Sequence, residues 1–191
     1  AYMHRYGLKR EDLSLVSENS HRAAVKNPYA QFRKEIPAAI ISKSPLVADP
    51  LRLLDCSPIS DGASAIILST KRESNVRIAA SQLASESLSL TERESLTSFV
   101  STRAAFIRAL SESGWDKNTI DTLELHDCFS IASLIHLEDL GFAEEGDAIR
   151  IFRQGDAALD GSLPINMSGG LKACGHPIGA TGVKQVLDCF K

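Results

Sequence analysis

The sequence predicts an α/β fold, and three observations carry that expectation. Over residues 63–191, apolar runs of strand length alternate with helical apolar stripes, the order that builds a layered sheet with helices against it. Hydrophobic residues make up 43% and charged residues 24% of 191, proportions that exclude a disordered tail, a collagen-like repeat and a coiled coil. No window approaches ~18 uninterrupted apolar residues, so the sequence indicates no membrane span.

Taken in order, Leu8, Leu13, Val16 and Ala23 or Ala24 fall near helical spacing and predict a helix over 8–26. Asn27-Pro28 ends it, because the residue before a proline is pushed out of the helical region. Pro37, Pro45, Pro50 and Pro58 break residues 36–58 into an irregular connector. After an Asp61-Gly62 turn, residues 63–68 form a continuous apolar run typical of a strand covered on both faces. Ala79-Ala80 and its flanks predict another strand. Leu96, Val100, Ala104 and Ile107, reinforced by Phe99, Phe106 and Leu110, stripe a helix over 93–112 with Gly114 as its stop. Residues 122–126 alternate like a strand. Ser130 is placed to cap a helix carrying Ile131, Leu134 and Ile135, with Gly141 past its end. Residues 163–166 predict a short strand, followed by a glycine-rich loop and a helix beginning near Thr181.

Net charge is −3, which argues against a nucleic-acid binder. It is unevenly spread: residues 1–50 hold eight Lys/Arg against five Asp/Glu, the remainder thirteen against nineteen. The basic opening segment suits an anionic ligand, and equally a solvated face. Cys56, Cys128, Cys174 and Cys189 are too sparse for a disulfide scaffold. The first five residues lack the apolar core of a secretory signal. Reduced thiols in a cytoplasmic setting are expected, or a peroxisomal one if the source is eukaryotic.

Two stretches carry candidate chemistry. One is Leu125-His126-Asp127-Cys128-Phe129-Ser130, where a predicted strand meets a helix, the place where α/β sheets present reactive side chains. The other runs from Asn166 to Gly182 and holds His176 in a tight, glycine-rich loop suited to proton transfer or to binding developing negative charge. The loop lacks the phosphate-binding, dinucleotide-binding and serine-hydrolase patterns. His126-x-Cys128 and Cys174-x-His176 together offer two His and two Cys, raising a zinc module as an alternative. Structural zinc pairs, however, space their ligands more widely than one intervening residue.

Gly175-His176-Pro177-x-Gly179-x-Thr181-Gly182 resembles the C-terminal signature of thiolases. His126-Asp127-Cys128-Phe129 is similar to the subgroup related to sterol-carrier-protein thiolase, where other thiolases carry Asn-Glu-Ala-Phe. The Asp49–Ala63 stretch, Tyr2-Met3-His4-Arg5-Tyr6-Gly7 and Asn27-Pro28-Tyr29-Ala30 resemble the same subgroup, in the same order.

The resemblance implies a thiolase fold, layered α-β-α-β-α in the intact protein. This chain would supply a loop domain on the coenzyme A side (residues 1–50), the last strand of the N-terminal half (51–75) and the C-terminal half without its final strands (76–191). It implies acyl transfer between coenzyme A thioesters, by Claisen condensation or thiolytic cleavage of a 3-ketoacyl-CoA, with no cofactor and no metal. The intact protein would be a homodimer or homotetramer, with acyl-CoA as its partner and neither nucleic acid nor membrane. His176 would raise the thiolate fraction of the family's nucleophilic cysteine and help bind the first oxyanion. His126 would hold the catalytic water of that oxyanion site, and Cys128 would act as acid/base. Ser57 and Phe129 would line the pantetheine channel. Taken alone, His126 reads as a strand-end histidine bonded to backbone, Cys128 as a small buried hydrophobe and Phe129 as a core aromatic. Cys56, Cys174 and Cys189 match no catalytic position and are assigned to packing. The nucleophilic cysteine belongs to a half that precedes the match to Ala1, so this chain alone is expected to be inactive. A non-catalytic acyl-CoA-binding or lipid-transfer protein is the alternative.

Overall fold

Helix α2 (Arg10–Ala24) forms where the 8–26 pattern predicts it, after the single turn α1 (Tyr2–Tyr6). The structure is a computed structural model that describes residues 1–190. Lys191, the last residue of the expected 76–191 unit, lies outside the described residues. The backbone N–H of Lys9 donates to Asp12 Oδ2 (3.0 Å) and closes the start of α2. Asp12 Oδ1 also accepts from Arg153 Nη2 (2.6 Å), tying α2 to α6 (Ile149–Arg153). α2 is buried on more than its apolar stripe. Ser14, Ser17, Ser20 and His21 are buried beside Leu13, Val16, Ala23 and Ala24. Such burial requires partners, and Ser17 Oγ lies 2.9 Å from Ser130 Oγ while Ser20 donates to Asp127 Oδ2 (3.3 Å).

The proline-broken connector contains short elements: α3 (Ala38–Ile41) and an antiparallel pair, β1 (Leu46–Ala48) and β2 (Leu51–Arg52). In that pair Leu46 faces Arg52 and Ala48 faces Leu51. A 3-10 turn, Leu53–Asp55, closes the segment when Arg52 N–H donates to Asp55 Oδ2 (2.8 Å). The main core gathers Leu13 and Val16 of α2, Leu134 and Leu137 of α5 (Ser130–Asp139), Ile149 and Ile151 of α6, and Leu125 and Ile165 from the loops. α7 (Gly170–Cys174) and α8 (Ile178–Phe190) follow, the latter starting three residues before the expected Thr181.

Several expected strands do not form. Residues 63–68 carry no ladder, and Ile67 is 95% exposed, the opposite of a strand covered on both faces. Ala79-Ala80 is likewise not a strand. The reason is the same for both: a strand exists only through its neighbours' hydrogen bonds, and no described segment forms a ladder with either. The expected strands at 122–126 and 163–166 do meet, reduced to one parallel bridge between Leu123 and Ile165. The helix expected over 93–112 forms as α4 (Val100–Ser113), stopped by Gly114 in the left-handed region. Its start is set from outside, since Phe99 N–H (2.6 Å) and Ser98 Oγ (2.5 Å) both donate to the Asp139 carboxylate of α5. Ser130 is the first residue of α5 rather than its cap. Its hydroxyl turns inward to Ser17 and to Asp55 Oδ1 (3.1 Å). No helix among the described residues is long and apolar enough to cross a membrane.

Candidate active site

The glycine-rich loop is clamped onto residues 124–127 by reciprocal hydrogen bonds. Leu125 N–H donates to Asn166 Oδ1 (2.6 Å), Ser168 N–H donates to Glu124 Oε1 (3.0 Å) and Leu171 N–H donates to Asp127 Oδ1 (2.6 Å). Asn166 holds φ +53, and Gly170 holds φ +57 against Asp127, where a Cβ would lie 2.4 Å from Oδ2. Only glycine fits there. On the other side, Phe32 N–H donates to Ala173 O (2.8 Å) and His176 N–H donates to Ser60 Oγ (3.2 Å), which itself donates to Gln31 Oε1 (2.5 Å).

These clamps bring His126 and His176 together, their rings 5.0 Å apart and edge to face at 86°. The Thr181 hydroxyl spends its one proton on the Pro177 carbonyl (3.0 Å), so it accepts at His176 Nδ1 (2.7 Å). That arrangement sets the Nδ1–H tautomer and leaves Nε2 with a free lone pair. Burial, and then the neighbouring His176, hold His126 below the usual imidazole range. Near it lies His136, whose pKa burial pushes down to about 4.

Alternation buries Leu125 and Asp127 and turns His126 and Cys128 the other way. Ser57, Cys128 and Phe129 are neighbours as well: Ser57 N–H donates to the Cys128 carbonyl (2.8 Å) and Cys56 pairs antiparallel with Phe129. Burial pushes the Cys128 thiol up, and Lys172 pulls it back. Phe129 is 42% exposed rather than a core aromatic. Two large cavities, about 660 and 640 Å³, flank α8, and neither is lined by His126, Cys128 or His176. His126 is exposed and His176 half-buried in this chain.

The zinc alternative does not fit. Among the described residues no three His, Cys, Asp or Glu side chains converge on one point. Cys174 is buried beside Asn27, whose Nδ2 lies 3.5 Å from its sulfur, and is influenced by Lys184 and Glu124, whereas Cys128 is influenced by Lys172 and Cys56. Sequence reasoning missed Thr181 as the partner of His176, and missed the buried set of Asp55, Asp127 and Lys172. A lysine between Leu171 and Ala173, in a run that is otherwise small and apolar, was the available signal.

Residues 83–191 match the family model described as thiolase C-terminal domain-like. The chain belongs to the thiolase family. Over 98% of its length it is 44% identical to an acetyl-CoA acetyltransferase of Methanothermobacter thermautotrophicus, covering 50% of that protein. It is 35% identical, again over 98% of its length, to sterol carrier protein 2 of Bos taurus, covering 36% of that protein. Among solved structures it is similar to an Ltp2-ChsH2(DUF35) aldolase, with a TM-score of 0.83 and 26% identity, over 97% of this chain and 52% of that one. The thiolase-like α/β fold follows, here helix-rich with a small sheet. The chain spans about half the length, or less, of the curated relatives it matches.

Proposed function

We propose that this thiolase chain supplies the acid–base and oxyanion side of acyl transfer between coenzyme A thioesters. The observation that carries the reading is the His126–His176 pair with His176 oriented by Thr181. On this reading His176 Nε2 takes the proton of the nucleophilic thiol and the resulting imidazolium helps hold the oxyanion formed at the attacked carbonyl. His126, neutral at pH 7, orients a water at the same oxyanion. In thiolysis the nucleophile's thiolate adds to the 3-keto carbon and the C2–C3 bond breaks. Cys128 then delivers its proton to the departing acetyl-CoA enolate. The thiolate so formed takes the proton of incoming coenzyme A, whose sulfur attacks the acyl-enzyme and frees the nucleophile. Condensation is the reverse.

In the same reading residues 1–50 form the loop domain, 51–75 lead back to the N-terminal half and 76–191 form the C-terminal half. The basic balance of residues 1–50 lies toward coenzyme A phosphates, and Ser57 and Phe129 border the pantetheine arm. On this reading the chain alone turns over no substrate, because none of Cys56, Cys128, Cys174 and Cys189 matches the family's nucleophilic cysteine. Thiolysis of acetoacetyl-CoA is the test. The isolated chain is expected to give none. In an intact polypeptide containing it, Cys128→Ala is expected to cost ~10²-fold in turnover. Wild-type rates in that variant sink the acid/base assignment. The likeness to sterol carrier protein 2 supports a second reading, a non-catalytic acyl-CoA or lipid carrier, which predicts acyl-CoA binding without turnover even in the intact protein.

A further inference from the structure

Lys172 is 2% exposed, among the most buried large side chains in the molecule. A buried ammonium is costly unless charge and hydrogen bonds compensate it. Its Nζ donates to the backbone carbonyl of Asp55. Among the described residues it makes no contact ion pair. The two nearby carboxylates are already occupied. Asp55 is held by Arg10 (2.6 Å), Arg52 N–H and Ser130, and Asp127 by Leu171 N–H and Ser20. Asp127 and Asp55 still supply the main negative charge around the ammonium, and two thiols lie beside them. Asp55 immediately precedes Cys56, and residues 56–57 run antiparallel beside 128–129. Lys172 therefore sits where both cysteines meet.

The two thiols are not equivalent. Cys56 Sγ donates its proton to the Arg52 carbonyl (3.4 Å), a bond available only to the protonated form. Burial pushes the Cys128 thiol up, and the Lys172 charge acts the other way, in favour of the anion. We propose that Lys172 is a positioning residue for Cys128, its buried ammonium favouring the thiolate at the junction of residues 55–57 and 127–129. The charged and titratable groups around this junction are Lys172 of α7, Asp127, Asp55 with its Arg10, Cys56, and His21 of α2, which also feels Lys172. The inference rests on the reading of Cys128 as the proton carrier. A lysine there lets one side chain hold a proton near neutral pH although burial alone would keep it a thiol.

The test needs no turnover. Alkylation of the purified chain by iodoacetamide across pH 6–10, read cysteine by cysteine by mass spectrometry, reports each thiolate directly. Lys172→Met is expected to raise the Cys128 midpoint by about one pH unit or more. Lys172→Arg keeps it near wild type, and Cys189 does not move in either variant. A folded Lys172→Met protein with an unchanged Cys128 profile overturns the proposal. If that variant does not fold, wild type decides: a Cys128 midpoint below that of Cys56 supports the proposal, and one at or above it overturns it. Loss of activity in Cys128→Ala tests the acid/base reading separately, so the two failures are distinguishable.

Discussion

At the scale of single residues, the site is held by backbone shape as much as by side chains. Gly170 sits at φ +57 with Asp127 in the space a Cβ would fill. Gly170→Ala is expected to cost about 2 kcal/mol or more, combining left-handed strain with a displaced Asp127 carboxylate. Urea unfolding measures it, and a loss under ~0.5 kcal/mol, the range of an ordinary surface change, contradicts the account. His126, Cys128 and His176 were legible because they stand in short, chemically unusual runs. Thr181 was legible only as part of a motif, since its bond to His176 depends on how α8 begins. Lys172 was hidden by its chemistry: a lysine is ordinarily exposed, and nothing in its neighbours' order reveals that Asp55, 117 positions away, closes over it.

At the scale of elements, helices followed local pattern and strands did not. Helix α4 shows both effects. Its periodicity and Gly114 are local, but its first turn is fixed by Asp139 of α5, which accepts from Ser98, Phe99 and Arg103 (Nη2, 3.1 Å). Asp139→Ala leaves those donors without their acceptor, at an expected cost of about 1–3 kcal/mol. Hydrogen exchange near residues 99–104 is expected to quicken selectively. Exchange that stays as slow as in wild type rules out this capping role. Leu96, before α4, and Ile107, within it, are 59% and 60% exposed, and residues 63–68 remain unpaired. Their sequences state a preference for burial without naming what buries them.

At the scale of the whole molecule, buried titratable groups set how stability responds to pH. Burial pushes His21 and His136 down to about 4 from an ordinary value near ~6.5. Between those values the unfolded chain binds more protons, so both histidines contribute stability above about pH 6.5 that is lost as pH falls toward 4. Glu124 runs the other way: burial raises it to about 7, so its contribution is present at low pH and is lost as pH rises through 7. Denaturation at pH 4.5, 5.5, 6.5 and 8 is expected to give a maximum near neutrality. Glu124→Gln should steepen the rise between pH 4.5 and 6.5 and raise stability at pH 8, and His136→Gln should soften the acid side. An unchanged profile in both variants removes these groups from the account.

The sequence by itself determined the helical periods, their glycine stops, the family, and the short runs that hold His126, Cys128 and His176. These are local properties, written in neighbouring residues or in fixed spacing. The tertiary structure alone decided that the two imidazoles meet, that His176 takes one tautomer, and that Lys172 is sealed beneath Asp55 next to Cys128. It also decided which apolar runs became strands. Each of those outcomes depends on groups far apart in the chain being brought within hydrogen-bonding or Coulombic reach, and only packing supplies that distance.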